Sequence, residues 1–289
     1  MVDAARHPKV EVMAYSEVEK VDGYIGNFRV QVNKKPRYVL EDRCNGCGQC
    51  AKVCPIEVPN DFEMGISPRK VIDVPHGQAV PLIYAVDIDN CIHCYKCVTA
   101  CGKLDAIDFS QQPEVVDLDV GSIIVATGFD SFDPAVIPEY GYGQYPNVIT
   151  AMELERLANS AGPTVGRLIR PSDGKAPHSV AMIQCVGSRD KRYNEYCSGF
   201  CCMYTIKNAL LLKQMNHDMD VTIYYMDIRT PAKAYEEFYN RARQMGIRFI
   251  QGRPSQITED PDTHNLYIEV EDQALGQVIE MEHDMVSLS

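Results

Sequence analysis

The sequence predicts an α/β fold: a parallel, doubly wound sheet, with a small cysteine-bound α+β module spliced into a connection between strands. Three observations lead there. From residue 179 to 251 apolar strand patterns alternate with helix patterns, the order that builds a parallel sheet. Two runs, 44–55 and 91–102, repeat one cysteine spacing. Two β-rich stretches, one flanking those runs and one at the C-terminal end, look like copies of one supersecondary unit.

In chain order, KVEVMAYSEVEKVDGYIGNFRVQVN (9–33) alternates and is rich in β-branched and aromatic residues, which reads as strands joined by turns. CNGCGQCAKVCP (44–55) is C-x2-C-x2-C-x3-C-P, and CIHCYKCVTACG (91–102) keeps the spacing with Gly102 in place of the proline. This is the bacterial two-cluster ferredoxin pattern, in which the fourth cysteine of each run serves the other cluster. One [4Fe-4S] cube is therefore expected on Cys44, Cys47, Cys50 and Cys101, and the other on Cys91, Cys94, Cys97 and Cys54. Zinc sites normally use separated C-x2-C pairs, and disulfides need an oxidising compartment. His93, between ligands, either tunes a potential or faces solvent. VPNDFEMGISPRKVIDVPHGQAVP (58–81) exceeds what a minimal ferredoxin needs and reads as an excursion offering a contact surface.

EVVDLDVGSIIVATGFD (114–130) reads as a strand ending in Ala126-Thr127-Gly128. AMELERLANSAG (151–162) is a helix with Thr150 and Glu153 as a capping box and Gly162 beyond its end. SVAMIQCV, FCCMYTIKNALLLKQM, DVTIYYMDI, KAYEEFYNRARQM and IRFIQ then spell β-α-β-α-β, with Gly246 stopping the second helix. A strand, a hairpin and a closing apolar strand complete the chain. The expected domains are 1–36, a first β segment of the main fold; 37–113, the inserted ferredoxin module; and 114–289, the main fold continued. The last holds the βαβαβ unit at about 179–251 and a β-meander at about 252–289.

The chain has 289 residues and a net charge of −12, with no basic cluster, which argues against nucleic acid or an anionic membrane surface as partner. No apolar run reaches the ~18 residues of a membrane span. The start lacks a signal-peptide pattern, so a cytoplasmic location is expected. The turn after the first strand of the βαβαβ unit reads CVGSRD, with Gly187 alone where a dinucleotide site would carry G-x-G-x-x-G, so a nicotinamide site is not supported. Asp227 reads as a polar residue at a strand end.

Four of the twelve cysteines remain: Cys185, Cys197, Cys201 and Cys202. Cys185 sits near the carboxyl end of a parallel strand, where open α/β sheets bind ligands, and Cys201 and Cys202 open the next helix. A helix N-terminus favours anions, and a four-thiolate cluster is one. From spacing alone, a third cluster, a buried small hydrophobe at Cys185 and a redox dithiol of Cys197 and Cys201 all stay open.

GYIGNFRVQVNKKPRYV, the first cysteine run, VGSIIVATGFD, YGYGQYPNVIT, RPSDGKAP, IQCVGSRD, YCSGFCCMYTIKNALLLK and YEEFYNRAR together make the chain resemble the iron–sulfur A-subunit family of heterodisulfide reductase. The resemblance implies a thioredoxin-reductase-like FAD/NAD(P)-binding flavoprotein fold with the inserted two-[4Fe-4S] ferredoxin domain. It also implies a third [4Fe-4S] cluster on Cys185, Cys197, Cys201 and Cys202, and FAD approached by Ala126, Thr127, Gly128 and Lys207. Lys207 otherwise reads as an exposed helix lysine.

The function so implied is that of a cytoplasmic oxidoreductase subunit relaying electrons between FAD, clusters and other subunits of a heterodisulfide reductase-like complex. Flavin-based electron bifurcation is expected of the full assembly, with ferredoxin or hydrogenase or formate dehydrogenase-type donors. No residue is assigned a catalytic role. Against the family pattern the chain is expected to be a fragment, without the N-terminal FAD fingerprint and the C-terminal part, and FAD is expected to draw on the missing N-terminal portion. Two alternatives are an NAD(P)H-linked iron–sulfur flavoprotein similar to the small subunit of glutamate synthase, and a flavin-free cluster wiring module.

Overall fold

The computed structural model describes residues 2–289, which divide into two compact units, one ending at Gly128 and the other spanning Phe129–Ser289. In the first, a short helix α1 (Val2–Arg6) precedes a hairpin of β1 (Ser16–Tyr24) and β2 (Asn27–Lys34). α2 (Gln49–Val53) and α3 (Lys96–Cys101) flank four short strands, β3 (Glu57–Pro59), β4 (Pro68–Lys70), β5 (Ile72–Asp73) and β6 (Ala85–Val86). β7 (Glu114–Val120) then pairs antiparallel with β2, giving the order β1-β2-β7.

The excursion between the cysteine runs folds into two ribbons, β3–β4 and β5–β6, rather than a loose loop. Arg69 and Asp87 tie them with a contact of 2.8 Å. The module closes on itself where Val39 bridges Ile107 and the Leu40 N–H donates to the Ala106 carbonyl at 2.7 Å. Its two ends therefore lie side by side, the condition for insertion between adjacent strands.

β7 pairs with β2, so the segments before and after the cysteine module meet in one sheet, and the compact units divide after Gly128. One expectation needs correction: the strand at 114 does not run on to Ala126-Thr127-Gly128. It ends at Val120, and no described strand lies beside 122–128 to offer a hydrogen-bonding ladder. Ile124 and Val125 are accordingly 90% and 78% exposed.

The second unit holds β8 (Val148–Thr150), α4 (Ala151–Ala158), β9 (Ser179–Ile183), α5 (Cys201–Met215), β10 (Asp220–Tyr225), α6 (Tyr235–Gln244) and β11 (Arg248–Gln251). A meander of β12 (Pro254–Glu259), β13 (Leu266–Asp272) and β14 (Gln277–His283) leads into β15 (Met285–Leu288). The main sheet is parallel throughout, in the order β11-β10-β9-β15-β8.

Alternation along each strand sends side chains to both faces. Val180, Met182, Val221, Ile223 and Met285 face α4, α5 and α6. Ala181, Ile183, Tyr224, Val286 and Leu288 face Ile257, Leu266, Ile268 and Val270 of the meander. The helices thus share one face, and the meander covers the other in place of further helices. Thr150 and Glu153 form the capping box of α4, with bonds of 3.2 and 2.6 Å.

Candidate metal centres

In the first cysteine run, Gly46 and Gly48 have φ of +70° and +74°. His93 and Tyr95 stand at the matching places of the second run with φ of +50° and +58°. Side chains rarely adopt this left-handed conformation, so the two loops share one backbone shape despite different residues. Each loop leads into a one-turn helix. Cys50 in α2 and Cys97 in α3 are buried near the helix starts, while Cys54 and Cys101 stand at the ends. Four residues of helix rise ~6 Å, enough to aim the two cysteines of one helix at different centres.

Two cavities result. One is walled by Cys44, Cys47, Cys50 and Cys101, with Tyr84, Leu104 and Ile107. The other is walled by Cys91, Cys94, Cys97 and Cys54, with Ile72, Val86 and Phe109. The structure thus brings the eight cysteines together as two crossed sets of four. Among the described residues no three or more His, Cys, Asp or Glu side chains close on a single ion; these eight thiols ring cavities instead. Burial pushes the Cys50 thiol up to about 12, and neighbouring Cys44 and Cys47 push the same way against the bond from the Ala51 N–H. Burial likewise raises Cys97. A thiol so placed ionises only with positive charge beside it. His93 is exposed and its ring packs 5.5 Å from that of Phe109, on the solvent side of the loop.

The remaining four cysteines lie in the second unit. Cys185, Cys201 and Cys202 are 3%, 3% and 4% exposed and form one cluster, with Tyr204 and Met226 packed on it. Cys185 follows β9 with φ of +60°. Cys201 and Cys202 begin α5, where the Cys201 N–H donates to Ser198 Oγ at 3.4 Å. Hydrogen bonds from Cys185 and Cys202 hold the Cys201 thiol far below its usual range, and sharing that charge raises the other two. Cys197 is half-buried, its Sγ accepting the Gly199 N–H at 3.4 Å, and its charge bears on Cys202. Three thiols thus gather at the carboxyl end of β9, between β10 and β15, with Cys197 near enough for its charge to reach Cys202.

Three polar neighbours of this group escape a cysteine count. Gln184 Oε1 accepts from Cys202 Sγ at 3.5 Å, and the Asp227 carbonyl lies 3.8 Å from the same sulfur. Arg189 is ion-paired to Asp227 and also reaches Cys185; although burial opposes its charge, these partners hold it above the ordinary arginine value. The one sequence signal is a glutamine within the apolar run SVAMIQCV.

Lys207 lies on α5 and contacts Glu155 Oε1 at 2.8 Å. It shares with Cys201, Phe200, Tyr204 and Gly187 the wall of an open crevice. Ala126, Thr127 and Gly128 belong to the first unit, outside regular structure.

The 4Fe-4S dicluster domain family matches residues 36–107. The iron-sulfur A-subunit of CoB--CoM heterodisulfide reductase from Methanocaldococcus jannaschii is 56% identical over 291 residues, covering 100% of this chain and 44% of that protein. The A-subunit of the H(2):CoB-CoM heterodisulfide,ferredoxin reductase of Methanothermobacter marburgensis is 51% identical, with 100% and 44% covered. The A-subunit of the Ferredoxin/F(420)H(2)-dependent CoB-CoM heterodisulfide reductase of Methanosarcina acetivorans is 45% identical, with 100% and 36% covered.

Among solved structures, the T. acidophilum thioredoxin reductase aligns at a TM-score of 0.33 and 15% identity, over 61% of this chain and 46% of that one. The Lactococcus lactis enzyme aligns at 0.35 and 14%, over 75% and 63%. Scores this low carry no argument. The chain spans less than half the length of the curated relatives it matches. Residues 1–289 correspond throughout to a portion of the iron–sulfur A-subunit family of heterodisulfide reductase, and it is to that family that the chain belongs.

Proposed function

We propose that the chain is the electron-carrying part of an oxidoreductase subunit, with [4Fe-4S] clusters on three sets of four cysteines: Cys44, Cys47, Cys50 and Cys101; Cys91, Cys94, Cys97 and Cys54; and Cys185, Cys197, Cys201 and Cys202. The observation that carries it is the pair of cavities, each walled by four thiols drawn crosswise from both runs. Bound clusters would supply one-electron transfer over a range of potentials. The chain's part is to hold them apart in apolar surroundings, with the left-handed loops shaping the backbone around each cube.

The wider reading adds FAD, a thioredoxin-reductase-like frame and partner subunits of a heterodisulfide reductase-like complex. Lys207, on the wall of the crevice beside Cys201, would place a cation against the flavin once freed from Glu155. Relatives named for both heterodisulfide and ferredoxin, or for H(2)/formate, favour electron bifurcation and hydrogenase or formate dehydrogenase-type donors. A flavin-free wiring module is the second reading, favoured by the exposed, unpaired 122–128 stretch. A nicotinamide site is disfavoured because Cys201 and Cys202 occupy the helix N-terminus that would cradle a pyrophosphate.

The test is iron and acid-labile sulfide per chain on anaerobically purified protein. About 12 iron atoms, falling to about 8 in Cys202→Ser, are expected for three four-iron clusters. About 8 in both would remove the third cluster. A flavin absorption band in the same sample separates the two readings.

A further inference from the structure

This inference rests on the reading of Cys185, Cys197, Cys201 and Cys202 as a cluster site and concerns Gln184, which no cysteine pattern includes. Gln184 lies between β9 and Cys185 and is 3% exposed. Its Oε1 accepts from the Cys202 thiol at 3.5 Å, while its Nε2 has no partner. A buried donor left without a partner is destabilising. An apolar side chain would fill the place between Ile183 and the thiols without that cost.

The orphaned amide makes sense once the sulfur is charged. The two ends of an amide have nearly one shape, so a half-turn exchanges them. A protonated Cys202 can donate to Oε1. A cluster-bound thiolate has no proton to give and accepts only, so the half-turn presents Nε2 to it. A charge-assisted bond, roughly twice as strong as a neutral one, then replaces a weak thiol bond. The orphan becomes a carbonyl oxygen, the group more often left under-satisfied inside proteins.

We propose that Gln184 donates a hydrogen bond to the Cys202 sulfur of the bound cluster and thereby raises that cluster's reduction potential. One electron enters on reduction, no bond is made or broken, and Gln184 keeps its protons. The site becomes one charge more negative, so an N–H aimed at its sulfur stabilises the reduced form more than the oxidised one. The ferredoxin cavity around Cys91, Cys94, Cys97 and Cys54 has no side-chain amide in its wall, where Val71, Ile72, Val86 and Phe109 stand. Gln184 acts through the ligand sulfur and sets a potential; it is not a catalytic residue.

The test uses the full chain, purified anaerobically with its clusters and titrated with dithionite under EPR. The third-site signal is the one missing in Cys202→Ser. Gln184→Met keeps length and burial and removes the donor. With iron unchanged, the third-site reduction equilibrium should fall about tenfold, ~59 mV for a one-electron couple, while the two ferredoxin signals stay in place. No shift at full iron content overturns the inference and leaves the cluster reading standing. A wild-type chain with only about 8 iron atoms overturns both. If Gln184→Met cannot hold the cluster, the wild type still decides. In protein labelled with ¹⁵N at the glutamine side chains, pulsed EPR of the reduced third-site signal should show a ¹⁵N coupling, and its absence overturns the inference.

Discussion

The crossed arrangement of the ferredoxin cysteines can be tested by counting iron in double variants. Cys101 lies in the second run but walls the cavity of Cys44, Cys47 and Cys50, and Cys54 lies in the first run but walls the other. Replacing Cys101 with serine removes one of four ligands from the first set. If an incomplete set loses its cube, iron should fall from about 12 to about 8 per chain, one four-iron cluster.

The informative step is the second substitution. Cys101→Ser with Cys44→Ser damages one set twice, so iron stays near 8; Cys101→Ser with Cys91→Ser damages both sets, so it falls to about 4. Changes that share a partner are non-additive and independent ones add. The assay is iron and labile sulfide on anaerobic protein, with the EPR of each reduced variant assigning the surviving signals. If each run ligated its own cube, the two doubles would exchange results. Iron near 4 in Cys101→Ser with Cys44→Ser, and near 8 in the other, would refute the geometry.

Two further outcomes concern the second unit. His283 is 1% exposed, with Nε2 2.9 Å from Tyr224 Oη, and burial lowers its imidazole to about 4. A free histidine titrates near ~6.5, so the unfolded chain binds the proton first. The contribution is full above ~6.5 and lost as pH falls towards 4, about 3 kcal/mol in all. The urea midpoint should drop between pH 7 and pH 5 and drop less in His283→Gln; equal drops would exclude the histidine as the cause. Thr150→Ala removes the oxygen that accepts the Glu153 N–H at 3.2 Å. A loss of ~1 kcal/mol is expected, with Thr150→Ser restoring it, and an unchanged midpoint would show that the cap contributes nothing.

Short-range patterns are legible in the sequence because their causes are short-ranged. The capping box needs only Thr150 and Glu153, and the alternation of strands and helices in 179–251 emerges as β9, α5, β10, α6 and β11. The apolar stretch 122–128 is not a strand, because strand propensity says nothing about whether a neighbour exists to pair with. The cover on the sheet is equally hidden. An apolar strand face does not say whether a helix or a meander will bury it, and here Ile257, Leu266, Ile268 and Val270 do.

The sequence by itself carried the pattern: eight of its twelve cysteines at a repeated spacing that suits two iron–sulfur clusters, and an α/β frame around them. Spacing could do this because the reach of one short loop limits which thiols can serve one centre. Only the tertiary structure decided what surrounds those thiols. It placed β15 between β9 and β8, paired Lys207 with Glu155, and set Gln184 and Arg189 against Cys202 and Cys185. Apart from Arg189 against Cys185, those contacts join separate elements of the chain, and they exist only once the sheet has assembled and the helices have packed upon it.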